Sequence, residues 1–213
     1  KAGPAIAVLD SWIEARIACN ALLLGEFGTG KSALLVQWTL HRWAAGHKVA
    51  LPLLVRLPPV SPEDSPPDLL LKAAGLASTP ANLAVLELLI RRRHLVPVFD
   101  GFDEYATKVD ASALLRSCRT SYLAPEPSLT GLEAPLTSIR AAHERMSLRY
   151  FDETRVQKLA LSLGGIEAVE TMRSVAGMPG IHDLVRRPLM LDLVLRAVSE
   201  IPIGQPVSAA GIF

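Results

Sequence analysis

The octapeptide Gly25-Glu26-Phe27-Gly28-Thr29-Gly30-Lys31-Ser32 restricts what this chain can fold into more than any other feature. It fits the pattern G-x-x-x-x-G-K-[ST]. The apolar run Ala21–Leu24 precedes it, and the stretch Ser32–Ala45, which reads as a helix stopped by Gly46, follows it. An apolar run ending in glycine suits a buried parallel strand, so the octapeptide is expected to carry the chain from strand to helix. Its glycines let backbone N–H groups turn inward with no Cβ in the way. Those groups and the helix N-terminus together make an anion site. The Lys31 ammonium can reach the β- and γ-phosphates of a nucleotide, and the Ser32 hydroxyl can ligate Mg²⁺. A glycine-rich turn with a chance Lys-Ser is the competing explanation, and the flanking strand and helix argue against it. The expectation is a nucleoside triphosphate bound with magnesium by Gly25, Glu26, Phe27, Gly28, Thr29, Gly30, Lys31, Ser32 and the adjoining Ala33.

The rest of the chain alternates in a matching rhythm. Ala5–Arg16 reads as a helix with Ile6, Leu9, Trp12 and Ile13 on one face. Val49–Leu57 is a second apolar run. Pro58–Asp68, with five prolines and three acids, reads as loop. Thr79 caps a helix with Pro80 at its first position, running to about Arg93. His94–Asp100 is a third strand and Ala113–Cys118 a fourth. Pro97 cannot donate a ladder hydrogen bond, so it is expected near the start of the regular pairing or at a bulge. Strands and helices in this order imply a parallel sheet with helices on its faces. Ser121–Pro135 reads as loop. Asp152 can cap a helix through Leu163 that Gly164-Gly165 ends, and Pro188 begins another over Leu189–Glu200. The expected organisation is a nucleotide-binding α/β domain over residues 1–125, a linker or insertion over 126–150, and a small helical lid over 151–213.

The segment Val96-Pro97-Val98-Phe99-Asp100-Gly101-Phe102-Asp103-Glu104 is an apolar strand that delivers three acids at its carboxyl end. Open α/β sheets bind ligands at that edge. Asp100 is placed to hold magnesium, and Gly101 leaves room beside it. Asp103 or Glu104 can orient or deprotonate an attacking water. By itself the segment could be an ordinary strand end with solvated acids; the upstream phosphate loop favours the metal-binding alternative.

Gly25–Ser32 together with Asp100-Gly101-Phe102-Asp103-Glu104 resembles the NACHT class of signal-transduction ATPases, in the STAND group of AAA+-related P-loop proteins, and specifically bacterial members. The D-G-h-D-E form is the most specific part: the resemblance makes Asp100 the magnesium aspartate, Gly101 the small residue after it, Asp103 the catalytic acid and Glu104 the motif's last acid. Leu114-Leu115-Arg116-Ser117-Cys118-Arg119-Thr120-Ser121-Tyr122 is similar to the sensor strand of bacterial members, with Arg119 contacting the γ-phosphate. Arg187-Pro188-Leu189-Met190-Leu191 is similar to the lid segment whose proline packs near the adenine, although Arg186 stands where related proteins often carry glycine. The resemblance spans roughly Ala21 to Val194. It implies a five-stranded parallel sheet of AAA+-like order 5-1-4-3-2 with a helical lid, catalytic roles for Asp103, Glu104, Lys31 and Arg119, and metal binding by Ser32 and Asp100. It further implies ATP/ADP and Mg²⁺ as cofactors, slow hydrolysis, and self-association through the NTPase module. Effector and sensor domains would lie in the same longer chain, with antiviral defence or innate immunity as its implied setting. A nucleotide-locked scaffold with negligible turnover is the alternative. A P-loop kinase is a weaker one, because no acceptor-pocket signature is visible.

Composition narrows the remaining classes. The net charge of +1 gives no support to a broad nucleic-acid surface. The cluster Arg91-Arg92-Arg93 reads as a helix C-terminus, where cations complement the dipole. Half of the 213 residues are hydrophobic and mean hydropathy is +0.30. The richest windows, Leu83–Ile90 and Leu189–Val198, are too short or too interrupted to span a membrane. The apolar excess fits a large core and surface covered by other domains, and no signal peptide is visible. Cys19 and Cys118 match no metal spacing and are expected at opposite ends of the sheet as free thiols, which points to the cytoplasm. Thr107-Lys108-Val109-Asp110 imitates the guanine-reading T-K-x-D, but lies too close to Asp103 to follow a strand of its own; the expected base is adenine.

Overall fold

Residues 5–15, 20–47, 50–57, 64–101, 123–125, 143–177 and 181–200 are described by the structure, a computed structural model. The fold is mixed α/β. Its helices are α1 (Ala5–Glu14), α2 (Lys31–Ala44), α3 (Pro66–Ala73), α4 (Pro80–Arg91), α5 (Glu153–Ala176), α6 (His182–Val185) and α7 (Pro188–Glu200). Its strands are β1 (Asn20–Leu24), β2 (Leu51–Arg56), β3 (Leu95–Asp100), β4 (Leu123–Pro125) and β5 (His143–Ser147). The chain divides into two compact units. One comprises Lys1–Gly25 and Lys31–Leu148, and the other Glu26–Gly30 and Arg149–Phe213.

In the first unit the strands hydrogen-bond in the order β2-β3-β4-β1-β5, which from the other edge is 5-1-4-3-2. Every pairing is parallel. β1 lies between β4 and β5, with Ala21 opposite both Leu123 and Glu144. The period of two along each strand sends alternate residues to opposite faces. Val96 and Val98 of β3 join Leu9, Trp12, Ile13, Leu35 and Trp38 from α1 and α2. Phe99 joins Leu53 and Val55 of β2 with Leu70, Leu71, Leu86 and Ile90 from α3 and α4. Each such buried side chain contributes about 1.5–3 kcal/mol. A polar tie reinforces the α1–α2 layer. Asp10 accepts from Trp38 Nε1 at 2.8 Å and from Arg42 Nη1 at 3.0 Å, and Arg42 Nη1 also reaches Glu14 at 3.0 Å. The acids four residues apart on α1 face the donors four residues apart on α2, so the fully buried Arg42 is not left as an uncompensated charge.

Several elements differ from the sequence expectation. Pro66–Asp68 belong to α3 rather than to a loop. Ser65 is its N-cap, accepting from the Asp68 backbone N–H, and prolines occupy the first turn. There the missing N–H groups cost nothing. A second bond between the same two residues, the Ser65 hydroxyl donating to the Asp68 carboxylate, is the main reason that this carboxyl lies below its ordinary value, with Ser78 adding to it. Leu123–Pro125, within the expected loop Ser121–Pro135, is strand β4. Three residues carry no readable alternation, and pairing with β1 and β3 makes this strand. His143–Ser147, inside the 126–150 stretch read as linker or insertion, is β5. The helix expected to end at Gly164-Gly165 breaks there, with Gly165 at φ 68°, and a second helical segment continues to Ala176. The expected strand Ala113–Cys118, the T-K-x-D imitation and both cysteines lie outside the described residues.

Other expectations match. Thr79 caps α4 with Pro80 behind it. Arg91 closes α4 and Arg92 is its C-cap. Pro97 pairs in register with Leu53 of β2, while pairing with β4 begins at Val98, one residue later; no bulge is needed. In the second unit, Val156, Ala160, Met172, Val175, Ile181, Val185, Leu191 and Val194 form a core of their own. No helix among the described residues is long and apolar enough to cross a membrane.

Trp38→Ala is expected to lower the unfolding free energy by about 3–5 kcal/mol, the range for emptying a buried aromatic site. Loss of the α4 cap in Thr79→Ala should cost about 1 kcal/mol. Urea denaturation of both variants checks the ranking; a cap loss as costly as the Trp38 loss would contradict the placement of Trp38 in the core.

Candidate functional site

The turn after β1 has the backbone its glycines permit. Gly28 and Gly30 have φ of 80° and 90°, values that L-residues with a Cβ adopt at a cost of about 1–2 kcal/mol. Thr29, itself buried, closes the turn. Its backbone N–H and its Oγ1 both donate to the Glu26 carbonyl, at 3.3 and 2.7 Å. Phe27 is 73% exposed. Lys31, the first residue of α2, bends back so that Nζ donates to the Gly25 carbonyl. Ala33 lies exposed in the first turn of α2.

Ser32 Oγ donates to Asp100 Oδ1 at 2.8 Å, across 68 residues of sequence. Asp100 is the last residue of β3 and is buried. Gly101 follows at φ 76°, turning the chain off the strand end. The two side chains expected to hold a metal are therefore in contact, one hydroxyl and one carboxylate, both hard oxygen donors. Mg²⁺ is bound by few protein oxygens and keeps several waters, so this pair fits it. No group of three or more His, Cys, Asp or Glu side chains suited to a metal occurs among the described residues. Asp103, Glu104 and Arg119 lie outside the described residues.

Within the second unit, the loop tip Glu26–Gly30 is engaged by residues around Pro188. Leu189 N–H donates to the Gly28 carbonyl at 3.3 Å. A Cβ on Gly28 would meet Met190 at 3.4 Å, and one on Gly30 would meet the Pro188 ring at 4.0 Å. Pro188 thus stands beside Gly30 of the glycine-rich turn. Arg187 Nη2 pairs with Glu26 Oε2 at 2.6 Å and donates to the Tyr150 hydroxyl at 2.9 Å. The hydrogen bond from the Tyr150 phenol to Glu26 holds its titration above the ordinary value.

Tyr150 and Arg187, like Leu189 and Met190, are residues of this arrangement that sequence reasoning did not single out as binding residues. Arg187 adjoins Pro188, the available signal. Nothing in the chain order links either of them to Glu26.

No known family profile matches the chain. The chain is 28% identical, over 96% of its own length, to an uncharacterized WD repeat-containing protein of Nostoc sp. (strain PCC 7120). It spans only 16% of that relative's length. Among solved structures, a chain from the structure of Drosophila ORC bound to DNA aligns at a TM-score of 0.45 and 12% identity, covering 92% of this chain and 56% of that one.

Replacing the Tyr150 hydrogen-bond acceptor should move the phenol's titration. In Glu26→Gln the phenol keeps Arg187 beside it, which favours the phenolate, and loses the carboxylate that opposes ionisation. Its ionisation should shift to lower pH in an ultraviolet absorbance titration, with Tyr150→Phe identifying its share of the signal. An unchanged curve would show that Glu26 does not contact the phenol.

Proposed function

We propose that this chain is an ATP-binding and hydrolysing switch of the NACHT type, within the STAND group of P-loop NTPases. The observation that carries the proposal is the Ser32–Asp100 contact at 2.8 Å. It joins the end of the phosphate loop to the end of β3, the two places from which a P-loop NTPase holds its metal. The strand order β2-β3-β4-β1-β5 supports the same assignment, because it agrees with the AAA+-like order that the motifs imply.

In this proposal the backbone amides of Glu26–Gly30 and the Lys31 ammonium bind the β- and γ-phosphates. Ser32 and Asp100 would hold Mg²⁺, which neutralises phosphate charge when bound. Asp103 and Glu104, following Asp100 in the D-G-h-D-E sequence, supply the acid that orients water for attack on the γ-phosphate, and Arg119 senses that phosphate. Pro188, beside the loop, packs near the adenine. Turnover is slow, and the nucleotide state controls self-association of a larger protein. The short share of the WD repeat-containing relative that this chain covers favours such a multidomain setting, with effector and sensor parts elsewhere. A bacterial defence role in the cytoplasm follows from the family resemblance.

Lys31→Ala should weaken Mg·ATP binding at least tenfold in a fluorescent-nucleotide titration. Asp103→Asn should retain binding and lose turnover in a single-turnover assay with labelled ATP. Binding by the wild type with no phosphate release over hours would replace the enzyme with a nucleotide-locked scaffold. Loss of turnover in Glu104→Gln but not in Asp103→Asn would transfer the catalytic role to Glu104.

A further inference from the structure

A carboxylate within an anion-binding loop repels a polyphosphate unless a cation compensates it. Glu26 is such a carboxylate, and Arg187 is the cation paired with it at 2.6 Å. The same Arg187 nitrogen donates to the Tyr150 hydroxyl at 2.9 Å. The Arg187 and Arg186 guanidinium carbons lie 5.0 and 5.8 Å from the Tyr150 ring centroid, within cation–π range. Arg186 is itself fixed, its Nε donating to the Phe151 carbonyl at 3.0 Å while its own carbonyl accepts from Phe151 N–H at 2.9 Å. Three residues after Arg186, Leu189 N–H binds the Gly28 carbonyl. The loop tip is therefore gripped by side chains at Glu26 and through the backbone at Gly28.

We propose that Glu26, Arg187 and Tyr150 form an ionic clamp that sets the conformation of the phosphate loop and, through it, the affinity of the site for a nucleoside triphosphate. The clamp rests on the nucleotide-binding function proposed above. Arg187 and Tyr150 are positioning residues in it, acting on phosphate through the loop. The side chain of Glu26 is 61% exposed and that of Arg187 21%. A pair this accessible contributes little to global stability. It is matched in size to a shift in loop populations, and so to a change in affinity of up to about fivefold. Any rearrangement of the Arg186–Leu189 turn would reach the loop by this route.

The test is a double-variant cycle in the full-length protein, using Glu26→Gln, Arg187→Gln, the double neutralisation, and the charge swap Glu26→Arg/Arg187→Glu. Two quantities are read: affinity for a fluorescent Mg·ATP analogue, and hydrogen exchange of the Phe27–Gly30 amides without nucleotide. Arg187→Gln should lose about three- to fivefold in affinity and Glu26→Gln less, because its change also removes a repulsive carboxylate, and both should exchange faster at the loop. The double neutralisation should lose no more than the weaker single variant, and the swap should regain most of the affinity and the protection. Losses that multiply in the double variant, or exchange unchanged by either single variant, would overturn the clamp. If the wild type and Lys31→Ala alike fail to bind the analogue, the nucleotide function fails, and the exchange rates still decide whether the clamp holds the loop.

Discussion

The lateral hydrogen bonds of β1 are the constraint on which the site depends. Asn20–Leu24 pairs in register with β5, and its centre pairs with β4, so the strand's backbone groups are committed on both sides. That arrangement fixes where the chain leaves the sheet. The octapeptide begins one residue after β1 ends, and α2 begins at Lys31. β3 is held the same way, between β2 and β4, and ends at Asp100. Two parallel strands ending at the same edge bring Ser32 and Asp100 within a hydrogen bond, although neither element alone carries any information about the other.

The core explains what holds the strands in place. β3 sends Val96 and Val98 to the α1–α2 layer and Phe99 to the α3–α4 layer, so both of its faces are dry. A strand buried on both faces reads as a continuous apolar run, and Leu95–Asp100 does, ending on the one polar residue that the site uses. The acid thus emerges at the point where apolar burial stops.

The tip of the glycine-rich loop is held differently. Glu26–Gly30 clusters with the helical unit, by the Glu26–Arg187 pair and the Gly28–Leu189 hydrogen bond. The flanking residues Gly25 and Lys31 belong to the sheet unit. Within the helical unit the middle of the loop is held by a side-chain pair at Glu26 and through the backbone at Gly28. Its positive-φ glycines make such a turn possible, and the Arg187 contact selects its shape.

Sequence alone determined the positive-φ glycine turn after β1, the acid at the end of β3, the caps at Thr79 and Asp152 and an interruption at Gly164-Gly165, though not the helical segment beyond it. Each depends on local chemistry: a glycine that allows positive φ, a side-chain oxygen that satisfies a nearby N–H, a proline without one. The cap at Ser65 belonged to the same class, but the prolines around it disguised a helix start as a loop. Tertiary structure decided β4 and β5. Leu123–Pro125 is too short to show a period, and His143–Ser147 is too polar to read as a strand, so only their neighbours' hydrogen bonds define them. It also decided that Glu26 meets Arg187 and Tyr150, because an ion pair between residues so distant in sequence exists only after the chain has brought them together.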